Sequence, residues 1–133
     1  MLIAADAPII DNASARRTFQ PQAPFSLPTL PASLTQARLR WQSYGDPSFN
    51  YFNHIAGLKG SPNIKSWNQF DADAANGKLP NVAWLYADGR HDEHPPYGQN
   101  AGPPTVRLGA QWTADRVNQV GQSQLPEKDL DSD

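Results

Sequence analysis

The stretch that most narrows what this chain can fold into runs from Leu79 to Gly98. It opens with an apolar run, Val82 to Ala87, which holds β-branched and aromatic residues and has turn formers on both sides. Such a run reads as one buried strand. Asp88-Gly89 ends it with a turn pair. His91, Asp92, Glu93 and His94 follow, braced by Pro95 and Pro96. A proline fixes its own φ and restricts the residue before it, so His94 has few conformations open to it. A stiff loop of titratable groups at the end of a buried strand is where a scaffold usually presents its chemistry. The same pattern describes a tight turn whose charges are merely solvated, and the residues alone leave both readings open.

The length of 133 residues fits one domain with a core of modest size. Hydrophobic residues make up 38% and charged residues 18%. Both shares are low, because 13 prolines, 9 glycines and many small polar residues take their place. The chain is therefore loop-rich, but its aromatic residues are spread along it and can anchor a core. A net charge of −2 gives no broad basic face, which argues against a nucleic-acid partner held by counterion release. Cysteine is absent, which excludes disulfides and thiolate chemistry. No apolar run approaches the roughly 20 residues of a transmembrane helix. Met1 to Ile10 is partly apolar, but its only charge is Asp6, so it does not read as a signal peptide.

Residues 1–28 are expected to be an irregular N-terminal segment, 29–123 an α/β domain, and 124–133 an acidic tail that frays. Within the domain, Thr29 and Pro31 mark the start of a helix over 30–39. Residues 40–44 alternate as a short strand. Phe49, Phe52, Ile55 and Ala56 predict a short aromatic-faced helix stopped by Gly57. His54 falls between these positions, as a half-buried histidine at a helix edge or as a catalytic one. Ser66 and Gln69 fit a capping box that opens a helix over 66–76, with Gly77 as its stop. A strand over 81–87 and a thin-striped helix over 109–121 complete the order. Two strands make a poor sheet by themselves, so the pattern suits a piece of a larger layered α/β sheet.

Two histidines with acidic neighbours, His91 and His94, can ligate a metal ion, and a carboxylate can orient an imidazole. Their three-residue spacing serves one face of a helix, however, and a loop ending in Pro-Pro is not a helix. A simpler role is open to His94, as a hydrogen-bond donor to an anionic oxygen or as a general acid. There is no phosphate-binding glycine loop and no Gly-x-Ser-x-Gly elbow. Trp41, Trp67, Trp84 and Trp112 read as core anchors, with a carbohydrate platform as the alternative.

Five segments in order then carry a resemblance. They are Leu27-Pro28-Thr29-Leu30-Pro31 with Leu34, Trp41 and Tyr44; Phe70 with Asp73 and Gly77; Leu79-Pro80-Asn81-Val82-Ala83-Trp84; Asp92-Glu93-His94-Pro95-Pro96; and Gly109, Trp112-Thr113, Val117-Asn118 and Val120. Over about residues 25–123 the chain resembles the phosphoesterase family of bacterial phospholipases C and acid phosphatases. The resemblance implies a partial alkaline-phosphatase-like layered fold with few strands, and hydrolysis of phosphate esters. It implies a divalent metal ion, a Ser or Thr nucleophile, and a phospholipid or phosphomonoester substrate. His94 maps onto the histidine beside the phosphate, as both catalytic and substrate-binding residue, and Glu93 onto the acidic position next to it. Asp92 and His91 receive no role. The family's Glu-Asn pair, its nucleophile segment and its paired aspartates have no counterpart here, so no metal ligand is assigned. The expectation is a portion of such a hydrolase holding one wall of the phosphate pocket; a truncated non-catalytic remnant or interaction module is the alternative. Relatives of this kind are often secreted or periplasmic.

Overall fold

The computed structural model describes residues 24–47, 50–92 and 106–123. They fall into two compact units. One takes the described residues up to Trp67 together with Pro80–Tyr86; the other takes Asn68–Leu79 together with those from Ala87 on. As expected, the fold class is α/β with few strands and long irregular connections.

The first unit is built on a three-stranded parallel sheet. Its strands are β1 (Trp41–Tyr44), β2 (Ile64–Lys65) and β3 (Val82–Leu85), in the order β2-β1-β3. The register sets Trp41 opposite Val82, and Ser43 between Ile64 and Trp84. Side chains alternate along a strand, so these five share one face of the sheet. That face carries the main apolar cluster, while Tyr44, 0% exposed, is buried from the other face. Leu34, Trp41, Phe52 and Leu58 are buried there, and Ile64, Val82, Trp84 and Tyr86 pack against them. The Phe52 ring stacks on Trp41 at 5.7 Å and meets Trp84 edge-on at 5.2 Å.

Ser43 and Asn50 are the most deeply buried polar residues of this unit among those described. Asn50 Nδ2 donates to Ser43 Oγ at 2.9 Å, and Asn50 Oδ1 accepts the Phe52 N–H at 3.1 Å. The pair satisfies itself, which is what lets it sit buried. Asn50 also caps a 3₁₀ turn, Tyr51–His54, where the aromatic-faced helix was expected; Phe49 lies outside the described residues. The turn stops because Ile55 becomes extended and pairs with Phe25. The Phe25 N–H donates to the His54 carbonyl at 2.7 Å and the Ala56 N–H to the Phe25 carbonyl at 2.9 Å. Strand β2 is unexpected: the residues read as only two strands, over 40–44 and 81–87. A two-residue strand carries no periodicity from which it could be foreseen.

Helix α1 (Leu30–Gln36) starts where expected: Thr29 Oγ1 accepts the Ala32 N–H at 3.2 Å, and Pro31 lies in the first turn. It ends three residues before the expected Leu39. Arg38 has φ 59°, its N–H donates to the Thr35 carbonyl at 3.0 Å, and the Leu39 N–H reaches the Leu34 carbonyl at 2.9 Å. These two bonds form a Schellman cap, whose left-handed position is usually glycine. In the second unit, helix α2 (Trp67–Ala75; Trp67 itself is counted with the first) ends with the same cap. There Gly77 has φ 61°, and Gly77 and Lys78 donate to the Ala74 and Asp73 carbonyls at 3.2 and 2.7 Å. A side chain at such a position costs roughly 1–2 kcal/mol, and a cation at a helix C-terminus regains about 0.3–1. Arg38→Gly is therefore expected to raise stability by about 0.5–1 kcal/mol, read as a higher urea midpoint. A lower midpoint would mean that the arginine side chain holds the native fold.

Elsewhere in the second unit, Gln69 does not complete the expected capping box. Its Nε2 instead donates forward to Asp73 Oδ1 at 2.7 Å, a charge-assisted bond that turns the side chain along the helix and away from its N-terminus. Helix α3 (Val106–Ser123) is longer than the expected 109–121. Its apolar stripe is thin, with Val106 68% and Val117 64% exposed. No helix among the described residues is long and apolar enough to cross a membrane.

Candidate functional site

The chain leaves β3 at Leu85, and three residues later Asp88 opens the loop that the sequence marks as chemical. Asp88 organises this loop. Its Oδ1 accepts the N–H of Arg90 at 2.9 Å and of His91 at 3.1 Å, and it lies 2.7 Å from His91 Nδ1. The first two bonds are an Asx turn, in which an aspartate binds the backbone just ahead of it. The third orients the imidazole. With Nδ1–H held by the carboxylate, Nε2 is the nitrogen left for other work.

The His91 ring stacks on Trp112 of α3, with centroids 6.2 Å apart and planes 23° from parallel. The Arg116 guanidinium stands 4.6 Å from the centroid of the same indole and 3.5 Å from Asp71 Oδ2. Arg116 lies four residues beyond Trp112, one helical turn on, which places both on one face of α3. A continuous line thus runs from Asp88 through His91, Trp112 and Arg116 to Asp71, all within the second unit.

Burial pushes the Asp88 carboxyl up, but the Arg90 N–H and the His91 side chain and N–H pull it down further, so its pKa lies below the ordinary aspartate value. The sign for stability follows. A carboxyl whose folded pKa is depressed stabilises the fold above its unfolded pKa, and loses that contribution as pH falls through the folded value. The His91 loop should therefore loosen only below about pH 4. Asp88→Asn should remove that acid step. Trp112 fluorescence followed from pH 6 to pH 2 checks this; an identical acid transition in the variant would contradict it.

His94 and Glu93, the site residues expected from sequence, lie outside the described residues. His91, offered by the residues only as a metal ligand with His94 and given no role by the resemblance, is the histidine placed by geometry. Trp112, read as a core anchor, is half-buried and partners His91, whereas Trp41 and Trp84 are core anchors as expected. The missed signal was Asp88-Gly-Arg-His91, whose spacing can be read as an Asx turn returning a histidine to its aspartate. His54 is half-buried, with Tyr51 edge-on at 6.0 Å. Its Nδ1 is buried with no hydrogen-bond partner among the described residues.

The sequence model of the Phosphoesterase family matches residues 4–128. The chain belongs to the phosphoesterase family. No curated protein and no solved structure matches it. The family match reaches beyond the 25–123 seen in the motifs, into a proline-punctuated N-terminal stretch that carries little pattern of its own. Membership supports a function of the phosphoester-hydrolase type. It is also consistent with metal dependence in general, and the described residues can be tested against that. Asp71 Oδ1 is a buried carboxylate oxygen without a hydrogen-bond partner. Yet no group of three or more histidine, aspartate or glutamate side chains among the described residues is arranged to hold an ion. The described residues alone do not fit a metal centre.

Proposed function

We propose that this phosphoesterase-family chain supplies a phosphate-binding wall of a phosphoester hydrolase acting on a phospholipid head group or a phosphomonoester. In this reading His94, stiffened by Pro95, donates a hydrogen bond to a phosphoryl oxygen, and Glu93 stands at the acidic position beside it. Asp88 and His91 act as positioning residues. The observation that supports the reading is the stack of His91 on Trp112. It ties the base of the Asp92–Pro96 segment to the Trp112–Val120 segment, and these are two of the segments that carry the family likeness. A hydrolase of this kind uses a divalent ion to activate its nucleophile. The roles given to this chain's loop are binding and orientation.

A hydrogen bond to a charged group contributes about 1.5–3 kcal/mol, or roughly 10- to 150-fold in affinity. His94→Ala is therefore expected to weaken inorganic phosphate binding by at least about tenfold in calorimetry. Hydrolysis of p-nitrophenyl phosphate and of phosphatidylcholine, each with added divalent ion, distinguishes the two substrate classes. Equal phosphate affinity in His94→Ala would overturn the assignment. A cooperative, folded chain with neither phosphate nor metal affinity would favour a non-catalytic module instead.

A further inference from the structure

Glycine follows asparagine or aspartate at two places in this sequence, Asn76-Gly77 and Asp88-Gly89. At such a pair the glycine nitrogen can attack the side-chain carbonyl carbon and close a five-membered succinimide. Glycine permits this because it has no side chain to hinder the approach and its backbone turns freely.

The two pairs sit in opposite surroundings. The Gly77 N–H is committed to the Ala74 carbonyl at 3.2 Å in the cap of α2, and Asn76 Nδ2 donates to the Ala72 carbonyl at 2.7 Å. Nucleophile and electrophile are both held in the helix end, so a ring can close there only when the cap opens. Gly89 is exposed, and its N–H has no hydrogen-bond partner among the described residues. A Cβ placed on Gly89 would meet none of their atoms within 4 Å, so the turn has room to rearrange. The Asx turn folds the Asp88 side chain forward along the backbone, toward the Gly89 nitrogen. Although burial raises its pKa, the bonds from Arg90 and His91 keep the Asp88 carboxyl ionised at neutral pH. A carboxylate is a poor electrophile, which makes the reaction slow.

We propose that Asp88-Gly89 is a self-modification site, at which Asp88 isomerises to isoaspartate and releases His91 from its anchor. The Gly89 nitrogen bonds to Asp88 Cγ, and its proton leaves with a carboxyl oxygen as water. Water then adds to the succinimide at the former main-chain carbonyl and breaks that carbon's bond to the Gly89 nitrogen. No other reactant is needed. The main chain gains one carbon and the free carboxylate ends on Cα, out of register with the Arg90 and His91 N–H groups. The proposal does not depend on the His94 reading.

Asp88→Asn separates reach from ionisation: its side-chain amide is neutral, and ammonia leaves in place of water. The folded variant, warmed at neutral pH and mapped by peptide mass, is expected to convert at position 88 at least about tenfold faster than at Asn76, whose cap must open first. Unfolded in urea, the two places should convert at similar rates. In the natural chain, labelling by isoaspartyl methyltransferase should show isoaspartate building up at Asp88 over weeks. The labelled fraction should lose hydrogen-exchange protection at the Arg90 and His91 amides. In Gly89→Ala the build-up should fall at least about tenfold, because a side chain there hinders the attacking nitrogen. Conversion at Asn76 as fast as at position 88 in the folded variant would overturn the proposal. So would the absence of isoaspartate at Asp88 in the natural chain, or unchanged exchange in the labelled fraction.

Discussion

Replacing Phe52 with alanine should lower stability by about 3–5 kcal/mol, the usual cost of removing a fully enclosed aromatic ring. Phe52 is 0% exposed. Its ring lies between Trp41 and Trp84, which belong to neighbouring strands, and Tyr86 meets it at 6.5 Å. These partners sit on a backbone fixed by the β1–β3 ladder, so they cannot collapse into the space a lost phenyl would leave. Small domains have only about 5–15 kcal/mol in hand, so the variant should unfold at a much lower urea concentration. Phe52→Leu keeps most of the volume and should cost under about 1.5 kcal/mol. If Phe52→Ala shifted the midpoint no further than Phe52→Leu, the central place given to Phe52 between Trp41 and Trp84 would be wrong.

The second large effect is expected at Asp88. Alanine there removes the acceptor of two backbone N–H groups and the partner of His91 Nδ1 at one stroke. Hydrogen bonds to an ionised carboxylate contribute about 1.5–3 kcal/mol each, and surface exposure reduces that value here. Hydrogen exchange at the Arg90 and His91 amides should then quicken by roughly ten- to a hundredfold, a change of about 1.4–2.8 kcal/mol in local opening. Exchange in β1 and β3 should be untouched. Because His94 follows three residues after His91, the variant should also bind inorganic phosphate less tightly, while Asp88→Asn keeps part of the Asx turn and falls between. Unchanged exchange at both amides would show that the loop is held by something other than Asp88.

Much of the fold could be read directly from the residues. Thr29 followed by Pro31 announced the start of α1, Gly77 announced the end of α2, and the Val82–Leu85 run declared β3, because each depends on local backbone chemistry. The misses share a physical cause. Arg38 ends α1 in a conformation that its side chain disfavours, so no breaker residue marks the place. β2 exists through its neighbour β1 rather than through any pattern in Ile64-Lys65. Gln69 extends toward the Asp73 carboxylate one turn ahead, a side-chain pairing that the capping pattern does not include. At the site, the sequence singled out the loop after β3 for its proline-braced His94, which lies outside the described residues. The Asx turn at Asp88 was legible as a turn and not as the anchor of a histidine. The ring contact between His91 and Trp112 joins residues 21 apart in sequence, and no local rule predicts it.

The most direct measurement is a crystal structure of the chain soaked in vanadate, a phosphate mimic. The account predicts an oxyanion within about 2.7–3.2 Å of an imidazole nitrogen of His94, in a concavity beside the His91–Trp112 stack. An imidazole at position 94 directed into bulk solvent, with no anion and no hollow next to it, would contradict the account.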